Sequence, residues 1–289
     1  KDQKDAIIAP LQKFGISDKV ILRGDGTSLY ITQDLYLAQL RYHDFKFDKM
    51  TYVVASEQNL HFQQLFKILE LLGNSWAKGL YHLSYGLVNL PTGRMKSREG
   101  TVVDADDIMD EMYKIAEGEI RKRHEKLSES EIKKRAEFIG LGAIKFFMLR
   151  TDAIRDIVFN PEESISFEGE TGPYIQYTHA RACSILRKAP NIGTKIKFEL
   201  LKEPQEQRIT NLLLKFPETI KQAAAQCKIH LICHYLIELA QSFNEFYHAH
   251  PVISEDKDLM VARLLLVDSV RQVLANGLEL LGIHPPSEM

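Results

Sequence analysis

Only three cysteines, Cys183, Cys227 and Cys233, stand among the 289 residues, and no two are in CxxC spacing. That excludes a secreted disulfide framework and a zinc ribbon, and points to a reducing, cytoplasmic compartment. No run reaches about 18 apolar residues and no signal-type stretch opens the chain, so neither membrane insertion nor export is expected. A large excess of charge is missing too. The 37 Lys and Arg oppose 39 Asp and Glu, for a formal charge of −2, which excludes a uniformly basic polyanion binder but not a local basic face. There is no repeat, no low-complexity segment and no Walker loop. The opening Lys1-Asp2-Gln3-Lys4-Asp5 carries no initiator Met, and a fragment of a longer protein is expected. What is present is 45% hydrophobic residues, enough at this length to fold about two domains without staples and to exclude disorder as the main state.

From residue 19 the pattern is α/β. Lys19-Val-Ile-Leu22 and Ser28-Leu-Tyr-Ile31 read as short strands about a turn at Gly24-Asp25-Gly26-Thr27. Thr32 can cap a helix to about Tyr42 with Leu35, Ala38 and Leu40 inward. Met50-Thr-Tyr-Val-Val-Ala55 is apolar without alternation, as in a parallel strand covered on both faces. A helix from about Asn59 to Leu72 stops at Gly73, and a strand runs from Tyr81 to Val88. This order predicts half of a doubly wound nucleotide-binding sheet. Helices follow at 104–126 and 130–150, then an irregular joint at 151–168 with possible strands at 157–159 and 165–167. A bundle of four helices is predicted at about 173–189, 206–225, 228–249 and 257–281.

One loop stands out. Gly93-Arg94-Met95-Lys96-Ser97-Arg98-Glu99-Gly100 places three cations at alternating positions between glycines, suited to a polyanion such as a triphosphate; composition alone favours a solvated basic loop. Its spelling resembles the KMSKS loop of class I aminoacyl-tRNA synthetases, and its surroundings resemble the arginyl-tRNA synthetase family. The resemblance covers residues 19 to 289 through five ordered segments: Gly26-Thr-Ser-Leu-Tyr-Ile-Thr-Gln-Asp34, Tyr52-Val-Val-Ala-Ser-Glu-Gln-Asn-Leu-His61, the loop with Thr101-Val-Val-Asp104, Phe167-Glu-Gly-Glu-Thr-Gly-Pro-Tyr-Ile-Gln-Tyr-Thr-His-Ala-Arg181, and Leu280-Leu-Gly-Ile-His-Pro-Pro-Ser-Glu-Met289.

The resemblance implies α/β plus all-α architecture: residues 1–103 as the second half of a Rossmann-like class I catalytic fold, 104–169 as a helical connector, and 170–289 as an anticodon-binding bundle. It implies ATP-dependent attachment of arginine to tRNA(Arg) through an arginyl-adenylate, with Mg²⁺ accompanying ATP as substrate, no protein-bound metal, no membrane and a monomeric enzyme. In register, Arg94 takes the first Lys position, Met95 the Met, Lys96 the usual Ser, and Ser97 the second Lys; which of Lys96 and Arg98 carries the charge stays open. The class I His-x-Gly-His signature is absent from the sequence, so this chain alone is expected to be inactive. Another class I synthetase, or a non-catalytic tRNA-binding protein built from these domains, remains an alternative.

Individual residues can be given physical roles. Tyr30 and Asp34 lie four apart, so a phenol and a carboxylate can converge on one ligand, and a carboxylate is the fork-shaped partner that a guanidinium requires. Spacing alone also fits a core tyrosine and an acid complementing a helix start. The resemblance makes Tyr30, Asp34 and Gln58 arginine-binding residues, and sets His61 on the ATP side with Met95 and Lys96. Tyr174, Tyr177 and Arg181 share one helix face, suited to stacking with unpaired bases or to packing between domains. The resemblance places them, with Tyr247 and Met289, on the tRNA face. The basic residues Arg121, Lys122, Arg123, Lys126, Lys133, Lys134 and Arg135 read as a solvated helix surface with compensating glutamates. His230 and His234, four apart near Cys227 and Cys233, lack a zincin Glu, and a metal site is not expected there.

Overall fold

The computed structural model describes residues 5–89, 91, 104–123, 127–190 and 196–289. The basic loop Arg94, Met95, Lys96, Ser97 and Arg98 lies outside the described residues. The chain divides into two compact units, Lys1–Leu87 with Ile154–Asp156, and Val88–Ala153 with Ile157–Met289.

In the first unit, β1 (Ile7–Ala9) pairs antiparallel with β2 (Lys19–Leu22). After β2 the chain turns rather than forming the expected second strand. Gly26 adopts φ 81°, Asp25 accepts from the backbone and hydroxyl of Thr27 (2.9 and 2.7 Å), and only one bridge, Leu22 to Ser28, forms. Helix α1 then runs Tyr30–Phe45, two residues before the expected cap. Thr32 is inside it, at the third position, where its hydroxyl accepts from Leu29 N and donates to the Ile21 carbonyl. Leu35 and Ala38 are buried but Leu40 faces solvent.

Strand β3 (Met50–Ala55) pairs in parallel with β4 (Leu80–Tyr85), from Met50 opposite Leu80 to Ala55 opposite Tyr85. Helix α2 (Asn59–Leu71) connects them, and Gly73 at φ 84° follows its end. Ile31, Leu35 and Ala38 of α1 and Phe62, Leu65 and Leu69 of α2 form one core with Tyr52 and Val54. Both helices thus cover the same face of β3, while Thr51 and Val53 are exposed, so burial alternates where the apolar run predicted two covered faces.

The second unit starts with β5 (Val88–Asn89), parallel to β6 (Ile157–Val158). The described strands therefore form three two-stranded pairings. Helix α3 (Ala105–Arg123) packs on α4 (Glu129–Leu149), which starts at the Ser128 cap; with Phe159 and Ile165 they enclose a core centred on Met112, Ala116, Ile139 and Ala143. Residues 165–167 are no strand: α5 (Pro161–Ser164), capped by Asn160, leads into a turn in which Ser166 Oγ donates to the Glu168 carbonyl.

The bundle consists of α6 (Gly172–Lys188), α7 (Pro204–Gln226), α8 (His230–Ala249) and α9 (Lys257–Leu280). Thr171 caps α6 with Pro173 in the first turn, and the break between α7 and α8 is Cys227 at φ 54°. Leu236, Leu239, Phe243, Phe246, Val267 and Leu274 are fully buried in its core. Helices α4 and α6 meet at glycine: a Cβ on Gly172 would come within 2.5 Å of the Gly142 carbonyl, so the two backbones approach as only glycine permits. After α9 the chain is laced onto α4 and α6 by its own carbonyls. Lys145 donates to Gly282 (2.5 Å), Gln176 to His284 (2.9 Å), His179 Nδ1 to Pro286 (2.8 Å) and Arg187 to Ser287 (3.0 Å). No described helix is long and apolar enough to cross a membrane.

Candidate functional sites

Two concave sites gather most of the residues that the sequence singled out, one in each unit. In the first unit, a cavity of about 530 Å³ is lined by Lys19, Leu29, Tyr30, Ile31, Asp34, Val54, Gln58, His61 and Phe62. It lies by the carboxyl end of β3, where open parallel sheets bind ligands. Tyr30 opens α1 and is 83% exposed, so it is not a core side chain. Asp34 is one turn further on. Its Oδ2 accepts from His61 Nε2 at 2.8 Å, so the histidine set on the ATP side is the direct partner of the acid. A carboxylate with one oxygen engaged and more than a third of the side chain still exposed keeps acceptor capacity for a cation entering the cavity. Lys19 was not anticipated here; nothing in its spacing marks it, because it enters from another strand.

In the second unit, a cavity of about 480 Å³ is lined by Leu127, Arg135, Tyr177, Ala180, Arg181, Ser184, Arg187, Tyr247, Glu288 and Met289. Arg181 Cζ stands 4.9 Å from the centre of the Tyr177 ring and 5.1 Å from that of Tyr247, so the cation engages two aromatic faces. Both tyrosines are exposed. Tyr174 is set apart from this cavity, half-buried, its Oη accepting from Asn244 at 2.9 Å. Met289 is partly buried against the α3–α4 core and borders the cavity.

Arg135 departs from the solvated-surface reading of the basic cluster. It is 7% exposed and reaches Glu131 (3.0 Å) and Glu288 (3.4 Å), the latter also bound by Arg187 at 3.4 Å. The described rest of the cluster follows that reading: Arg121 pairs with Glu117 and Glu129, Lys122 and Arg123 with Glu119, and Lys133 and Lys134 are exposed. Lys126 lies outside the described residues. Three arginines against Glu288 make this cavity locally basic on a chain of near-zero net charge. At the other histidine pair, the His230 and His234 rings are 5.6 Å apart, and no cluster of three metal-ligating groups occurs among the described residues.

Comparison with known proteins finds two family models along the chain. Residues 1–161 match the model of the class I tRNA synthetase (R) catalytic domain, and residues 175–289 match the DALR anticodon binding domain. The arginine–tRNA ligase of Bacteroides thetaiotaomicron is 43% identical over all of this chain and half of its own length; that of Treponema pallidum is 43% identical over 99% of the chain and, again, half of its own. The chain spans about half the length of the curated relatives it matches. Among solved structures, Thermus thermophilus arginyl-tRNA synthetase superposes on 99% of this chain and 54% of its own with a TM-score of 0.88 at 29% identity. The Plasmodium falciparum enzyme shares the fold at a TM-score of 0.81 and 24% identity, over all of this chain and half of its own. A catalytic-domain model that covers more than half of the chain shows the family: the chain belongs to the arginyl-tRNA synthetase family of class I tRNA synthetases.

Proposed function

We propose that this chain carries the arginine-recognition and tRNA-recognition parts of an arginine–tRNA ligase, which joins arginine to tRNA(Arg) at the expense of ATP. The observation that carries the reading is the convergence of Tyr30, Asp34, Gln58 and His61 on one cavity. Asp34 takes the guanidinium, His61 holds its carboxylate in place, and the Tyr30 phenol and Gln58 amide complete a polar rim.

In the reaction, the arginine carboxylate attacks the α-phosphate of ATP, supplied with Mg²⁺ as substrate, and pyrophosphate leaves. A tRNA ribose hydroxyl then attacks the adenylate. Neither step calls on a protein nucleophile; binding and orientation do the work. Arg94, Met95, Lys96, Ser97 and Arg98 serve the triphosphate by their match to the KMSKS loop, and His61 borders the ATP side. Tyr174, Tyr177, Arg181, Tyr247 and Met289 serve the tRNA. Residues 1–103, 104–169 and 170–289 are the catalytic half, connector and anticodon-binding segments of a cytoplasmic, monomeric enzyme.

Titrating L-arginine into the chain while following its thermal midpoint tests the arginine site. Arginine is expected to raise the midpoint saturably, lysine to do so far less, and Asp34→Ala to abolish the response. An arginine response that survives Asp34→Ala overturns the assignment.

A further inference from the structure

Asn244, on α8, does not line the second cavity but holds one residue that does, Arg181. Its Nδ2 donates to Tyr174 Oη (2.9 Å) and to Thr178 Oγ1 (3.1 Å), while the Thr178 hydroxyl donates to the Tyr174 carbonyl (2.9 Å) and leaves its oxygen free to accept. With both amide hydrogens committed, Oδ1 is turned toward Nη1 of Arg181, which donates to it at 2.5 Å. The other two arginines of the cavity, Arg135 and Arg187, are bound to Glu288. Arg181 forms no ion pair among the described residues; its anchors are two aromatic rings and a neutral amide. A carboxylate in that place would hold the guanidinium equally well but would cancel its charge.

We propose that Asn244 is the positioning residue of this surface: it fixes Arg181 between Tyr177 and Tyr247 through a neutral contact, which keeps the full cationic charge available to a phosphate of single-stranded RNA. The inference rests on the tRNA-binding reading above.

The test is retention of a tRNA(Arg) transcript by the full 289-residue chain across a potassium chloride series, with thermal midpoints measured in parallel. Variants are Asn244→Ala, Asn244→Asp, Arg181→Ala and the Asn244→Ala/Arg181→Ala double. Asn244→Ala is expected to weaken binding about tenfold, as for loss of a hydrogen bond to a charged group, and to add nothing once Arg181 is gone. Asn244→Asp keeps the contact to Arg181 and is expected to lower the slope of log affinity against log salt by about one, as Arg181→Ala does. Multiplying losses in the double variant, or a wild-type salt slope in Asn244→Asp, overturns the positioning role. Wild-type binding by Arg181→Ala overturns the tRNA-face reading beneath it, and the proposal with it.

Discussion

The Asp34 carboxylate and the His61 imidazole meet at 2.8 Å although they stand 27 positions apart in sequence, because α1 and α2 pack on one face of β3 and bring their N-terminal halves together. A histidine that donates to a carboxylate fixes which oxygen lone pairs remain for a ligand, and so couples the orientation of Asp34 to a side chain from another helix.

His61→Ala is therefore expected to weaken arginine binding roughly tenfold, one hydrogen bond to a charged group, while His61→Gln restores part of it through its side-chain amide. Arginine titrations of the two variants check this. Equal affinities for His61→Ala and the parent would remove His61 from the arginine site.

At the second cavity, Tyr177→Ala is expected to weaken tRNA(Arg) binding by about 1–3 kcal/mol if its exposed ring stacks on a base, whereas Tyr177→Phe changes little, since stacking needs the ring and not the hydroxyl. A direct binding titration separates the two. A loss as large in the Phe variant as in the Ala variant would mean that the hydroxyl, not the ring, is what the RNA meets.

His179 makes stability depend on pH. Burial, the strongest influence, pushes its pKa below the usual 6.5, against the opposing effect of the Pro286 carbonyl. The unfolded chain thus takes up a proton at a pH where the folded chain does not. The stabilising contribution is fully present above about pH 6.5 and is lost as the pH falls through the depressed folded-state value. The thermal midpoint should drop as the pH falls below about 7, and His179→Asn, which can donate to Pro286 without titrating, should drop less. Identical slopes for the two proteins would assign the loss to other groups.

Glu206 is fully buried, with Oε1 2.7 Å from Arg263 Nε and Oε2 accepting from the backbone N of Glu203; Arg263 also donates to the Pro251 carbonyl at 2.8 Å. Removing the acid strands a buried cation. Glu206→Ala is expected to cost about 3–5 kcal/mol in urea unfolding with little change of slope. A cost below about 1 kcal/mol would show that water reaches Arg263 in the variant.

The helices were legible because their apolar periodicity and their Pro and Gly breaks act locally; the caps Ser128, Thr171 and Asp256 stand one or two residues before the predicted starts. Strands were less so. The run 157–159 was visible, but its partner Val88–Asn89 lies far away in sequence, and no local pattern names it. Ile165-Ser-Phe167 looked equally strand-like, yet Ser166 turns the chain and Phe167 lies under the Arg123 guanidinium at 4.0 Å. In the first site, the family resemblance carried Tyr30 and Asp34, which the fold sets one turn apart on α1 rather than on a strand and a helix, while the Asp34–His61 bond depends on how two helices pack. Arg135 was hidden among six other cations, since charge pattern does not tell which one points inward. Asn244 stands three residues before Tyr247 on the same helix, a spacing that sets the two side chains on one face.

The lacing of the last eight residues through their carbonyls has a consequence for what this stretch can tolerate. The donors on α4 and α6 grip main-chain oxygens, which every residue type supplies, so outside the positive-φ Gly282 and the buried Ile283 and Pro286 the side chains of this stretch can be exchanged without loosening the grip. Chain length cannot. One residue inserted or removed shifts each later carbonyl by about 3.3 Å, more than a hydrogen bond can absorb. The stretch therefore works as a ruler, whose divisions set how far Glu288 and Met289 extend along the cavity that holds Tyr177, Arg181 and Tyr247.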